Sequence, residues 1–171
     1  MSLAFGSELK SDDPALGPAL VVAAAGLGLL VAHLLAAVTF SIWVHRAAKN
    51  LRGLGRRGLR FTPGWCVGWF FVPFANLVKP LQAVQEVWRA SGPEARDDYW
   101  ATAPTSPLFA LWWATWLIGN GLANASARID DVATSGMVGA AGSILTAVAA
   151  VAIILIMHRI AVRQEASARC S

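Results

Sequence analysis

The chain has 171 residues, 56% of them hydrophobic and only 14% charged, with a mean hydropathy of +0.54 and 8 tryptophans. Soluble domains run near ~25% charged, so this composition excludes a disordered chain, a disulfide scaffold and an ordinary soluble domain, and points to a small integral membrane protein. The net charge is +4, and the two cysteines, Cys66 and Cys170, show no spacing that would make a disulfide framework or a zinc site.

Four stretches carry no Asp, Glu, Lys or Arg: 14–45, 61–78, 99–127 and 132–158. A helix crossing the hydrocarbon core needs ~20 mainly apolar residues. The first, third and fourth stretches meet that length and the second is marginal. Residues 1–17 form a polar, acidic tail, unlike the basic start of a signal peptide, so the first span is expected to stay attached. That span runs over about 18–44, with Pro18 in its first turn and Ala24, Gly28, Ala32 and Ala36 at the four-residue spacing that lets helices approach closely in lipid.

Arg46, Lys49, Arg52, Arg56, Arg57 and Arg60 follow with no acid among them. Nucleic-acid binding is one reading of such a run. A cytoplasmic loop at a membrane surface is the other, and it is adopted because a span flanks the run and no aromatics are interleaved through it. The second segment opens with Thr62-Pro63, a cap followed by a first-turn proline. Pro73 then removes a backbone donor after about ten helical residues, and Asn76, Lys79 and Pro80 follow. A helix break is therefore expected at Pro73 and Pro80. From Pro80 a short amphipathic helix is predicted, with Leu81, Val84 and Trp88 on one side and Gln82, Gln85, Glu86 and Arg89 elsewhere. The loop 91–107 carries Tyr99 and Trp100 as interfacial anchors. The third span covers 108–127, and the fourth covers 132–158 with a small-residue stripe at Gly139, Ser143 and Ala147. A tail occupies 163–171, which leaves 18–162 as one membrane domain.

Two folds compete: an all-α membrane protein with three full spans and a Pro-broken re-entrant or interfacial segment over 63–90, or a four-span helical bundle. If the second segment returns to its starting side, 12 basic residues lie inside and 2 outside. If it crosses, the split is 7 to 6 with Lys79 inside the span. The positive-inside rule favours the first, with the amino terminus outside and the carboxyl terminus in the cytoplasm.

The stretch Ile42-Trp-Val-His-Arg46, then Asn50, then Pro63-Gly-Trp65, Trp69-Phe-Phe-Val-Pro73, Asn76-Leu77 and Trp88-Arg-Ala-Ser91 resembles the bacterial membrane family catalogued as domain of unknown function 4328. Trp112-Trp113-Ala-Thr-Trp116 and the arginine-bearing end of the last span fit as well. His45 stands where that family's pattern has a tyrosine. The resemblance implies a bacterial multi-span protein of the plasma membrane and implies no activity.

An ionisable residue beside broken backbone at membrane depth is a functional candidate. The candidate polar intramembrane site is therefore Asn76, Lys79, Asn120 and Asn124, with Glu86 as an ion partner for Lys79. The competing readings are a snorkelling lysine for Lys79 and interhelical hydrogen bonding for the asparagines. His33, His45 and His158 read as interfacial or helix-bonded residues, so no metal or cofactor is expected. No catalytic motif is found, and no enzyme is expected. Two functions remain: a structural or regulatory helix-packing protein, or a small channel or transporter subunit. The expected partners are the lipid bilayer with its anionic headgroups and a second copy or another membrane protein, and no nucleic acid.

Overall fold

Apolar residues on every side and no internal proline between Ala19 and Gly53 let the first helix run unusually far. In the computed structural model, which describes residues 16–92 and 98–169, α1 spans Leu16–Gly53. The expected polar tail, Arg96 and Cys170 lie outside the described residues, as does the Tyr99 side chain. All described elements are helical: α1, α2 (Pro63–Gly68), α3 (Lys79–Ala90), α4 (Leu108–Ser126), α5 (Val132–Arg169) and three short 3-10 turns at Trp69–Phe71, Ala75–Leu77 and Asp98–Thr102. The chain divides into two compact units between Ser41 and Ile42.

In the first unit the helix is apolar all round, and residues 17–39 are exposed, including the Ala24, Gly28, Ala32 and Ala36 stripe. His33 turns back on its own helix, with Nδ1 2.8 Å from the Leu29 carbonyl.

The second unit holds the folded core. Two helices, α1 and α5, have 38 residues each and are long and apolar enough to cross a membrane. At ~1.5 Å per residue each is about 57 Å long, nearly twice a ~30 Å hydrocarbon core. The 19 residues of α4 are long enough to cross, but α4 is not one of the two helices that meet both length and hydropathy, so the structure gives two such helices where three full spans are expected. The basic run, expected as a loop, is helical through Gly53, and α5 likewise continues past 158 to Arg169. Lys and Arg are good helix formers, and the stop comes from glycine instead. Gly55 has φ +72°, Gly55 N–H donates to Arg52 O at 3.1 Å, and Arg56 N–H donates to Leu51 O at 3.0 Å. This is a Schellman stop.

At the second segment, Thr62 Oγ1 accepts from Trp65 N–H at 3.4 Å and Pro63 occupies the first turn. The α-helix ends at Gly68 and resumes at Lys79, with Pro80 inside the first turn of α3. Between them Phe74 takes φ 61°. Neither α2 nor α3 has the length to cross a membrane.

α4 and α5 pack antiparallel through glycine. A Cβ on Gly142 would meet Gly119 O at 3.0 Å and Ala123 N at 3.2 Å, and one on Gly119 would meet Thr146 Oγ1 at 2.7 Å. The expected Gly139, Ser143 and Ala147 stripe is thus displaced. Ser143 and Ala147 are exposed, Gly139 lies near Ser126, and the contact face is Gly142, Thr146 and Ala149. Asp131 caps α5, its Oδ2 accepting from Thr134 N–H at 2.7 Å, and hydrogen bonding first from the Thr134 hydroxyl and then from its N–H holds the carboxyl below the ordinary carboxylate range.

Gly142→Ala should lower stability by ~1–3 kcal/mol, because the methyl meets backbone rather than a side chain that can swing away. Gly136→Ala, with open space around it, should leave stability unchanged or slightly raised. Thermal unfolding of both variants in detergent, followed by circular dichroism, checks the pair.

Candidate functional site

The Schellman stop after α1 sends Arg56 back towards the end of α3. Its Nε donates to Ala90 O at 3.1 Å, and its Nη2 donates to Gly92 O at 3.1 Å and to Ser167 Oγ at 3.4 Å. The last carbonyls of a helix have no partner within it, and a cation suits that negative end. Ser91, fully buried, donates from Oγ to Val87 O at 2.6 Å. Its own carbonyl accepts from Ser167 Oγ at 3.1 Å.

Gln164 completes the set from α5. Its Nε2 donates to Ala47 O at 3.0 Å and to Ser91 Oγ at 3.1 Å, and its Oε1 accepts from Asn50 Nδ2 at 3.2 Å. Five side chains, Asn50, Arg56, Ser91, Gln164 and Ser167, thus join the ends of α1, α3 and α5. Apolar side chains buried beside them, Val44, Leu51, Val84, Val87, Ile156 and Ile160, make a small core.

Tryptophans pin the surrounding segments. Trp100 Nε1 donates to Arg57 O at 3.2 Å and Trp113 Nε1 to Leu77 O at 3.0 Å. Arg163 lies 4.7 Å over the Trp88 ring, which meets Phe109 edge-on at 5.6 Å.

The residues expected to form one polar site have three separate sets of partners. Lys79 Nζ lies 5.9 Å over the Trp69 ring. The Asn76 Oδ1 atom is buried without a hydrogen bond among the described residues. Glu86 is not the partner of Lys79. Its carboxylate is buried and accepts the backbone N–H groups of Arg60 and Phe61, each at 3.0 Å. The α1–α2 loop needs acceptors for those donors, and Glu86 is the side chain that reaches them. Burial pushes its carboxyl above the ordinary range against the pull of those bonds. Cys66, buried nearby, has its thiol pushed up to about 12, first by burial and then by the Glu86 charge. A thiol held that high is a poor nucleophile.

Asn120 and Asn124 are exposed, on a side of α4 turned from Gly119. They donate to carbonyls of their own helix, Trp116 O at 2.7 Å and Asn120 O at 2.8 Å. The six-residue basic patch divides as well: Arg56 is committed to the polar cluster, while Arg46, Lys49, Arg52, Arg57 and Arg60 keep exposed side chains. His45 and His158 are exposed, and no group of three or more His, Cys, Asp and Glu among the described residues is placed to hold a metal.

A family profile described as "Domain of unknown function (DUF4328)" matches residues 8–162. The chain belongs to that family. No curated protein and no solved structure matches it. The polar cluster joins segments of the family region, Asn50 and the Trp88-Arg-Ala-Ser91 run, to α5.

Gln164 and Ser167 are not among the site residues the sequence predicts, although a signal is present. They continue the α5 stripe Ala149, Ala152, Ile156 and Ile160, so their positions already face inwards.

Gln164→Leu should cost ~0.5–1.5 kcal/mol for each hydrogen bond it removes, and this is read as a lower melting temperature. Glu86→Gln should also destabilise, since its NH2 would confront a backbone N–H. The folded chain holds the Glu86 proton to higher pH than the unfolded chain does. Stability from that proton is therefore full below the ordinary carboxylate range and is lost as pH rises through the raised value. The advantage of wild type over Glu86→Gln should accordingly be largest at acid pH and shrink as pH rises, in unfolding curves taken across a pH series.

Proposed function

We propose that the protein is a multi-pass protein of a bacterial plasma membrane with a structural or regulatory role, exercised through helix association. The carrying observation is the outward face of α4, where Asn120 and Asn124 lie exposed and, among the described residues, bond only to their own helix. An amide facing lipid retains unused donor and acceptor capacity, and a second helix is the usual way to fill it. A second copy of this chain supplies the same two amides.

The topology we favour is three crossings, α1, α4 and α5, with the amino terminus outside and the carboxyl terminus in the cytoplasm. Two features support it. The ends of α1 and α5 are tied by Asn50 and Gln164, so both helices carry their basic extensions to one side. The segment between α1 and α4 is broken into pieces too short to span, and its turn exposes Phe71, Phe74, Leu77 and Val78. On this reading the turn dips into the bilayer from the cytoplasmic side and returns.

Replacing both Asn120 and Asn124 with Leu should weaken self-association by ~1–2 kcal/mol at most, measured by energy transfer between labelled copies in liposomes at graded dilution. Unchanged association would remove that face from the interface. Ion flux in the same liposomes, abolished by Lys79→Leu, would instead favour a channel. For topology, with Cys66 and Cys170 replaced, an impermeant thiol reagent should label Asp130→Cys in intact cells and Glu165→Cys only after permeabilisation.

A further inference from the structure

An open cleft of about 1290 Å³ lies just past the apolar stretches of α1 and α5. One wall is the end of α1 from Trp43 to Leu54, the other is α5 from Ile160 to Ala168, and Pro63 and Gly64 also line it. The α1 wall carries Arg46, Lys49 and Arg52, three residues apart and so winding slowly along one side of the helix. No side-chain hydrogen bond or ion pair joins any of the three to a described residue. The cleft has one acid, Glu165, whose side chain is 68% exposed and reaches towards Arg169 at 3.9 Å. Three cations therefore face one carboxylate that is directed elsewhere. The Asn50–Gln164 bond brings amide groups to the same lining.

Cations that are neither paired nor buried keep their hydration and leave a positive potential in the cleft. Its height along the helices then decides the ligand. Charge begins at Arg46 on α1 after the uncharged stretch 14–45, and at Arg159 on α5 after 132–158. Both walls start where apolar chain gives way to charge. Trp43, at the apolar end, is the residue type that settles at headgroup level.

We infer that this cleft binds the phosphate of an anionic phospholipid headgroup from the cytoplasmic leaflet. The forked guanidinium of Arg46 and that of Arg52 suit two phosphate oxygens at once, Lys49 adds a point charge, and the indole of Trp43 borders the acyl chains. The inference rests on the reading that α1 and α5 cross the membrane. Its ligand chemistry is shared with free phosphate, and the test separates the two.

Full-length protein in a neutral detergent is unfolded thermally with dioctanoyl phosphatidylglycerol, dioctanoyl phosphatidylcholine or inorganic phosphate. The glycerol lipid should raise the melting temperature saturably and the choline lipid should not. The combined change Arg46→Gln, Lys49→Gln and Arg52→Gln should weaken that binding at least about ten-fold, while Arg128→Gln, in the α4–α5 turn, should not. Should the triple variant fold poorly, Arg46→Gln and Lys49→Gln singly, both on exposed side chains, should each weaken binding by about three-fold. Equal stabilisation by both lipids, or wild-type affinity in the variants, overturns the proposal. Full stabilisation by inorganic phosphate, with nothing added by the glycerol lipid, makes the ligand a soluble anion and overturns the lipid assignment. Flotation with liposomes reads the underlying premise separately: protein that floats without lipid selectivity loses only the cleft, and protein that does not float loses the spans.

Discussion

The guanidinium of Arg56 stands among three helix ends, and the folded unit depends on what it satisfies there. It reaches Ala90 O and Gly92 O at the end of α3 and Ser167 Oγ on α5. Those carbonyls have no helical partner, and burying them unmet would cost ~1–3 kcal/mol each. A lysine could approach one of them as a point charge. The planar fork spreads its donors over separate nitrogens at fixed angles, so that Nε and Nη2 reach different groups at once. The residue before it, Gly55 at φ +72°, makes the turn that aims it. Two adjacent residues therefore end one helix and cap another. With α3 fixed, Ser91 is fixed, and its hydroxyl accepts the Gln164 amide that brings in α5 and the Ala47 carbonyl of α1.

Two kinds of packing coexist in the second unit, and their chemistry differs. Around α3 an amphipathic helix buries Val84, Val87 and Trp88 and leaves polar edges to hydrogen bonds. That is association driven by removing apolar surface from water. Between α4 and α5 the backbones touch at Gly119 and Gly142, and few large side chains are excluded from solvent. Contact of that kind gains by dispersion and close backbone approach, which remain available where apolar burial gains nothing. The change from one mode to the other along α5, glycine and alanine early and isoleucine, glutamine and serine late, follows the change from uncharged to charged sequence.

Much of this was legible in the residues, and the failures have physical causes. The uncharged stretches located the long helices because charge and hydrocarbon exclude one another, and the Thr62-Pro63 start needed only cap chemistry. The run Arg46 to Arg52 suggests a cytoplasmic loop because it is basic and a span flanks it, yet Lys and Arg favour helix and the stop lies in Gly55. The α5 register is not legible because small residues occupy every face of an alanine-rich helix, so spacing alone does not choose between Gly139-Ser143-Ala147 and Gly142-Thr146-Ala149. Charge complementarity suggests a cation for Glu86. A carboxylate also satisfies backbone donors, and a loop such as 54–62, with no ladder of its own, is where such donors are found. The polar cluster joins positions far apart in sequence, and no local pattern announces it.

The turn between α2 and α3 shows why environment matters to the energetics. Phe74 holds φ 61° with its side chain 88% exposed, and Phe71 is 76% exposed. A non-glycine residue in that backbone region costs ~1–3 kcal/mol, and two exposed phenylalanines recover nothing in water. Glycine at 74 would relieve the strain, so the phenylalanine has to be repaid elsewhere. Immersed in acyl chains, each ring gains about 1.5–3 kcal/mol on burial, enough to offset the strain. Trp113 holds the Leu77 carbonyl at the base of the turn, so the rings are presented together and the loss of freedom on immersion is small. Pro73 fits the same account, since a residue without an N–H leaves one fewer donor to satisfy in lipid. The strained backbone and the outward rings are unfavourable in water, and on the reading that the turn dips into a bilayer the acyl chains would offset both, with Pro73 leaving no donor to satisfy there.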